Sequence, residues 1–191
     1  MKKEAIIICD FQNEIIHPAG KFKAKGYATF VEQNNVLSNT NLALEKAREN
    51  DMTIIFVRVG FSTDYKEQPK NSLLFSKADQ LQALKLGTWA TQIHEELKVK
   101  EDDFIVTKHR VSPYYATKLD LILRNKRITD VYLCGCATDM VVSSAVRESH
   151  DRDLNIFVLG DCCAAASIDD HQNALTTIKK FATVGDVLEL L

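Results

Sequence analysis

An aspartate at position 10, a lysine at position 108 and a glycine-broken stretch around Gly135 are the parts of this chain whose residue types and placement could do chemistry. Asp10 follows the apolar run Ala5 to Cys9 and Lys108 follows Phe104 to Thr107, so each charge stands where a short buried strand would end. The third stretch, V-Y-L-C-G-C-A-T-D-M-V-V-S-S-A-V-R-E-S from Val131 to Ser149, passes from an apolar run through Gly135, Thr138 and Asp139 into small and apolar residues at helical spacing. Such a strand, turn and helix junction aims the first amides of a helix at the mouth of a sheet, where an anion or a developing oxyanion is stabilised. A carboxylate beside a lysine in a partly dry pocket feels two opposed influences, burial raising its proton affinity and the cation lowering it, so it could work in either protonation state. A structural ion pair, or caps on neighbouring helices, would account for the same two residues without any chemistry.

Bringing these positions together requires a particular order of elements. Ala5 to Cys9 is predicted as the first strand, Ala28 to Asn50 as an amphipathic helix, Thr53 to Val59 as the second strand and Phe104 to Thr107 as the third. Helix over Ala116 to Arg124, strand over Asp130 to Cys134, helix over Thr138 to Asp151 and strand over Asn155 to Leu159 follow. The chain closes with a helix over Ile168 to Phe181, a short strand over Ala182 to Val184 and a helix over Val187 to Leu191. This alternation predicts an α/β fold, a doubly wound and mostly parallel sheet in three α/β/α layers, formed by a single domain over 1–191. In such sheets the ligand sits beyond the carboxyl ends of the strands where strand order reverses, commonly between the first and fourth strands, which is where Asp10, Lys108 and the Gly135 turn would converge. The polar connection Gly60 to Leu86 is long enough to be a lid or binding loop, or else a surface excursion.

Composition narrows the partner. A net charge of −2 with scattered Lys and Arg gives no basic field for nucleic acid or an anionic membrane, which leaves a small molecule as the expected partner. The five cysteines, Cys9, Cys134, Cys136, Cys162 and Cys163, lack paired metal spacing and fit a reducing cytoplasm. The N-terminal apolar run is too short for a signal peptide or a membrane span. No metal site is expected: His17, His94, His109, His150 and His171 lack ligand spacing and are expected to be solvated or capping, and Asp169, Asp170 and His171 open a helix after Ser167. No cofactor is expected either.

The motifs I-I-I-C-D-F-Q-N-E, F-V-R-V-G, T-K-H-R-V-S-P-Y-Y-A-T-K-L, L-C-G-C-A-T-D-M-V-V and G-D-C-C-A-A-A-S occur in this order along nearly the whole chain. Taken together they resemble the isochorismatase-like hydrolases, the superfamily of isochorismatases, nicotinamidases and N-carbamoylsarcosine amidohydrolases. The resemblance implies that Asp10 and Lys108 are the first two members of an Asp, Lys, Cys triad, that a non-proline cis peptide joins Cys136 to Ala137, and that the protein is a homo-oligomer, dimer or tetramer. The amidohydrolase members carry their nucleophilic cysteine three residues after the turn threonine, where this chain has Val141, and valine can neither attack a carbonyl nor hold a covalent intermediate.

Three functional expectations follow from that difference. In the first, the chain resembles the isochorismatases, which also lack the cysteine: Asp10 protonates an enol ether, Lys108 holds a substrate carboxylate or orients the aspartate, and the backbone near Ala137 and Val141 binds substrate oxygens. Tyr114, which with Arg110 and Ser112 matches the family's pattern after the lysine, is expected as a pocket wall, with core packing as its alternative. The second is an amidohydrolase using the displaced thiol of Cys136, a residue that could equally be inert filling. The third is a non-catalytic member whose pocket is plugged by Val141 and its neighbours.

Overall fold

A run of Ala, Ile, Ile, Ile and Cys has no polar face to give to water, and β1 (Glu4–Cys9) accordingly lies buried in the middle of the sheet. The computed structural model describes residues 3–191; Met1 and Lys2, where the expected domain and the lysine-flanked N-terminus begin, lie outside the described residues. After β1 come α1 (Asn13–Ile16), α2 (Tyr27–Gln33), α3 (Val36–Glu49), β2 (Thr53–Val59) and β3 (Phe104–Lys108). The second half holds α4 (Leu119–Lys126), β4 (Asp130–Cys136), α5 (Ser143–His150), β5 (Asn155–Ala164), α6 (Ile168–Ile178), β6 (Thr183–Gly185) and α7 (Val187–Leu190). The strands form one sheet in the order β3-β2-β1-β4-β5-β6, with every neighbouring pair parallel. The fold is therefore the expected three-layer, doubly wound α/β class, and strand order reverses between β1 and β4. Cys9 lies in register with Gly135 across that point, and Val59 with Lys108 on the other side of β1, so the ends of all four strands face one crevice.

Several boundaries differ from the sequence expectation, each for a local reason. The helix expected over Ala28 to Asn50 is two helices, because Asn35 takes a left-handed φ of 53° that asparagine tolerates and a helix does not. Ala116, at φ 53°, likewise delays α4 to Leu119. The helix expected over Thr138 to Asp151 begins with a wider π turn at Thr138–Val142 before α5. β4 does not stop at Cys134; it runs through Gly135 to Cys136. Gly135 has φ 141°, and a Cβ there would lie 2.2 Å from the Cys9 carbonyl oxygen, so only glycine lets β4 pass this close to β1. β5 continues past Leu159 to Ala164, the pairing irregular between Leu133 and Gly135.

The connection over Gly60 to Leu86 is not a loose excursion. Phe61, Tyr65, Phe75, Ala78, Ala83 and Leu84 form a small apolar cluster with Val59, separate from the main core. Phe61 donates its amide to Leu84 O and accepts from Leu86 N, both at 2.8 Å, closing the segment at its base. Buried Gln12 reaches across with its amide, donating to Val59 O at 2.9 Å and accepting from Val59 N at 2.8 Å, and so extends the hydrogen bonding of β2 beyond the sheet.

Candidate active site

The end of β1 sets the position of Asp10, whose backbone turns to φ 59° while its amide still donates to Val57 O at 2.8 Å. A left-handed non-glycine residue costs about 1 to 3 kcal/mol and persists where the surroundings demand it. Lys108, last residue of β3, is 1% exposed and places Nζ 2.8 Å from Asp10 Oδ2. The same ammonium donates to Arg110 O at 3.0 Å and Val111 O at 3.1 Å, so its three protons all have acceptors within the protein. Asp10 Oδ1, by contrast, is buried without a hydrogen-bond partner. Burial pushes the Asp10 carboxyl up from its ordinary value, against the opposing pull of Lys108.

The β4–α5 junction faces this pair. The peptide between Cys136 and Ala137 is cis, as the sequence resemblance implied. The Ala137 carbonyl then accepts from the amides of Met140 and Val142 at 3.2 and 3.3 Å, which tightens the turn and engages those two donors. Thr138 donates its hydroxyl to Ala164 O at 3.0 Å and lies 2.9 Å from His171 Nδ1, so the threonine's acceptor lone pair takes a proton carried on Nδ1. His171 is thus neither solvated nor a cap: it is buried, burial holds its pKa below the ordinary value, and it braces the turn from α6. His94 is also buried, and His109 Nδ1 lies 2.6 Å from Gly60 O, which again departs from the solvated or capping roles expected. Ser167 caps α6 as expected, its hydroxyl accepting from Asp170 N.

Asp10, Lys108, Ala137 and Val141 line a single cavity of about 90 Å³. Tyr114 does not, which corrects its expected place in the wall: it is buried in the core with its hydroxyl 2.7 Å from Ser149 Oγ, and the guanidinium of Arg152 lies over its ring. The walls come instead from residues the sequence did not single out: Phe22 and Lys25 before α2, Tyr27 at its start, Leu74, Phe75 and Leu84 from the long connection, and Met140 from the π turn. The connection over Gly60 to Leu86 therefore forms part of the cavity wall. A short apolar run, Leu73 to Phe75, inside a polar segment was the available sequence signal for that placement.

Cys136 also lines the cavity, at 2% exposure. Burial, reinforced by the charges of Asp10 and Asp139, raises its thiol well above the ordinary range, which favours the protonated form. All five cysteines are buried and unpaired. Among the described residues no group of three or more His, Cys, Asp or Glu side chains is arranged to hold a metal ion.

The family model described as the isochorismatase domain matches residues 4–189. Over its full length the chain is 29% identical to the isochorismatase family protein YecD of Escherichia coli O157:H7, covering 95% of that protein. Among solved structures, it is similar to a cysteine hydrolase from Pseudomonas syringae pv. phaseolicola 1448A, with 25% identity, a TM-score of 0.85 and coverage of 98% of this chain and 90% of that one. An isochorismatase family protein from Desulfovibrio vulgaris shares the fold at 17% identity, with a TM-score of 0.87 over 100% of this chain and 97% of its own. With a family model matched from one end of the described chain to the other, on a sheet whose switch point holds a buried Asp–Lys pair and a cis turn, this protein belongs to the isochorismatase family.

Proposed function

We propose that the protein is a hydrolase of a small molecule in which Asp10 is the general acid, Lys108 orients it, and no thiol attacks the substrate. The observation that carries this is the division of labour between the two carboxyl oxygens of Asp10, a residue that lines the cavity: Oδ2 is held by Lys108 while Oδ1 has no partner. Burial favours the neutral acid, and a proton on Oδ1 would have no acceptor except a substrate. In an isochorismate-type reaction that proton passes to the terminal carbon of an enol ether, leaving Asp10 as carboxylate and the ether carbon as an oxocarbenium ion. Water adds to that carbon and returns a proton to Asp10, and the hemiketal collapses to a ketone and an alcohol. Amides of Ala137 and Val141 are the backbone donors we assign to substrate oxygens, Met140 and Val142 being engaged with the Ala137 carbonyl. By the sequence resemblance, Val141 takes the place of the nucleophile of the cysteine-dependent amidohydrolases, which supports a route without a covalent intermediate.

A second route, amide hydrolysis by Cys136, draws support from one observation, its place on the cavity wall, and is opposed by the raised proton affinity of its thiol. A turnover screen of enol ethers, isochorismate included, and of small amides separates the two when run on wild type, Asp10→Asn and Cys136→Ala. Acid catalysis predicts activity lost by about 10² to 10⁴-fold in Asp10→Asn and kept in Cys136→Ala. Activity kept in Asp10→Asn overturns the proposal, loss in Cys136→Ala favours the thiol, and turnover of nothing favours a site plugged by Val141. A reducing cytoplasmic setting, consistent with five free cysteines, and a homo-oligomeric state complete the proposal, the latter checked by sedimentation. Among the described residues no helix is long and apolar enough to cross a membrane.

A further inference from the structure

Hydrolysis at Asp10 leaves open what kind of molecule the cavity takes, and the cavity's own chemistry bears on that. Resting on the reading of this cavity as the active site, we infer that its substrate is a compact, apolar-bodied monoanion whose charged group pairs with Lys25. Lys108 cannot make that pairing, since its protons go to Asp10 Oδ2, Arg110 O and Val111 O, and a substrate carboxylate would have to displace one of these buried bonds. The other cationic side chain on the cavity is Lys25, in the short 3-10 turn Lys23–Lys25 before α2, and it has no acidic partner among the described residues. Asp10 and Lys108 together contribute a charge of zero, or of one positive unit when Asp10 is protonated; Lys25 adds another, so the cavity has an excess of positive charge that an anion complements.

The rest of the wall is apolar. Phe22, Leu74, Phe75, Met140 and Val141 offer no hydrogen bonds from their side chains, and Tyr27 contributes a ring with one hydroxyl. A carboxylate placed against these groups would lose its hydration without replacement, so a second charge on the ligand is disfavoured. The volume of about 90 Å³ points the same way, toward a compact body. Isochorismate, with one carboxylate and a hydroxyl on its ring and a second carboxylate on its enol-ether side chain, matches this wall poorly, which separates the substrate class from the reaction type.

The test is equilibrium binding, followed by NMR or calorimetry at low ionic strength, of cyclohexanecarboxylate, cyclohexanecarboxamide and cis-cyclohexane-1,2-dicarboxylate to wild type, Lys25→Met and Lys25→Glu. Lys25 is exposed and outside the core, so these variants leave the fold in place. A solvent-accessible ion pair predicts that wild type prefers the monocarboxylate over the carboxamide by about 5-fold, a preference that Lys25→Met abolishes and that salt weakens. Lys25→Glu should reverse the preference. Equal binding of acid and amide, a preference unchanged in Lys25→Met, tighter binding of the dicarboxylate, or binding of none of the three would each overturn the inference. Because binding is read without turnover, this inference and the assignment of Asp10 as acid can fail separately.

Discussion

Lys108 Nζ lies 2.8 Å from Asp10 Oδ2 while the other carboxyl oxygen of Asp10 has no partner, and this asymmetry defines the site. Lys108 supplies hydrogen bonds to three buried acceptors at once. Lys108→Met would strand all three, and at about 1 to 3 kcal/mol for each buried group the variant should lose at least about 3 kcal/mol of stability in urea denaturation. A double variant with Asp10→Asn should lose less than the sum of the two singles, since the residues are in contact. Strict additivity would show that the pair is not energetically coupled.

The raised pKa of Asp10 carries a pH signature whose sign is set by burial. A carboxyl that holds its proton more tightly folded than unfolded contributes stability fully present below its ordinary value of 3.8 and lost as pH rises through the folded value. Denaturation midpoints of wild type measured against Asp10→Asn across acid to neutral pH should therefore diverge, wild type losing stability relative to the variant as pH rises. In turnover, kcat/KM should fall on the alkaline side of the same ionisation, because the proton donor disappears. A profile that rises there would assign Asp10 as base.

Cys136 should behave as a filled core position with a cavity face. Iodoacetamide should label it slowly at neutral pH, since burial keeps the thiol protonated. Cys136→Ala should retain activity while losing stability by about 1 to 2 kcal/mol, the scale of a few buried atoms removed. Rapid labelling coupled to inactivation would revive the thiol route.

Gly135→Ala is expected to be among the most damaging single-atom additions in the chain. The new Cβ would lie 2.2 Å from the Cys9 carbonyl oxygen in a backbone conformation that alanine avoids, so β1 and β4 must separate beneath the site. The expected loss exceeds about 1 kcal/mol, with activity falling further than stability because Asp10 directly follows Cys9. Equal stability of the two proteins by calorimetry would contradict the close approach of these strands.

His171 acts through Thr138, so its removal should alter the turn rather than the chemistry. His171→Asn, which can keep a donor toward the Thr138 hydroxyl, should preserve more activity than His171→Ala, which leaves that hydroxyl without its donor. The alkaline limb of the pH profile should stay where Asp10 puts it in both variants. Identical activities in the two would remove His171 from any positioning role.

Much of this protein was legible in the order of its residues. Buried parallel strands are short, largely apolar runs, so Ala5 to Cys9 and Phe104 to Thr107 announced themselves, and their ends located Asp10 and Lys108 without any coordinates. Alternation of strands and helices dictated the doubly wound sheet, and that topology dictated which ends meet at the switch point. Backbone torsions resisted this approach: a single left-handed residue such as Asn35 divides a helix whose apolar periodicity runs on across it, and Gly135 reads as a strand breaker although it is where β4 continues. Tertiary structure alone decided which side chains share the cavity. Tyr114 follows Lys108 closely in sequence but is drawn into the core by Ser149, whereas Lys25, Leu74 and Phe75 arrive from connections whose paths no periodicity encodes. The hydrogen bonds that occupy Lys108 and leave Asp10 Oδ1 open likewise depend on distances between residues far apart in the chain, and such distances exist only once it has folded.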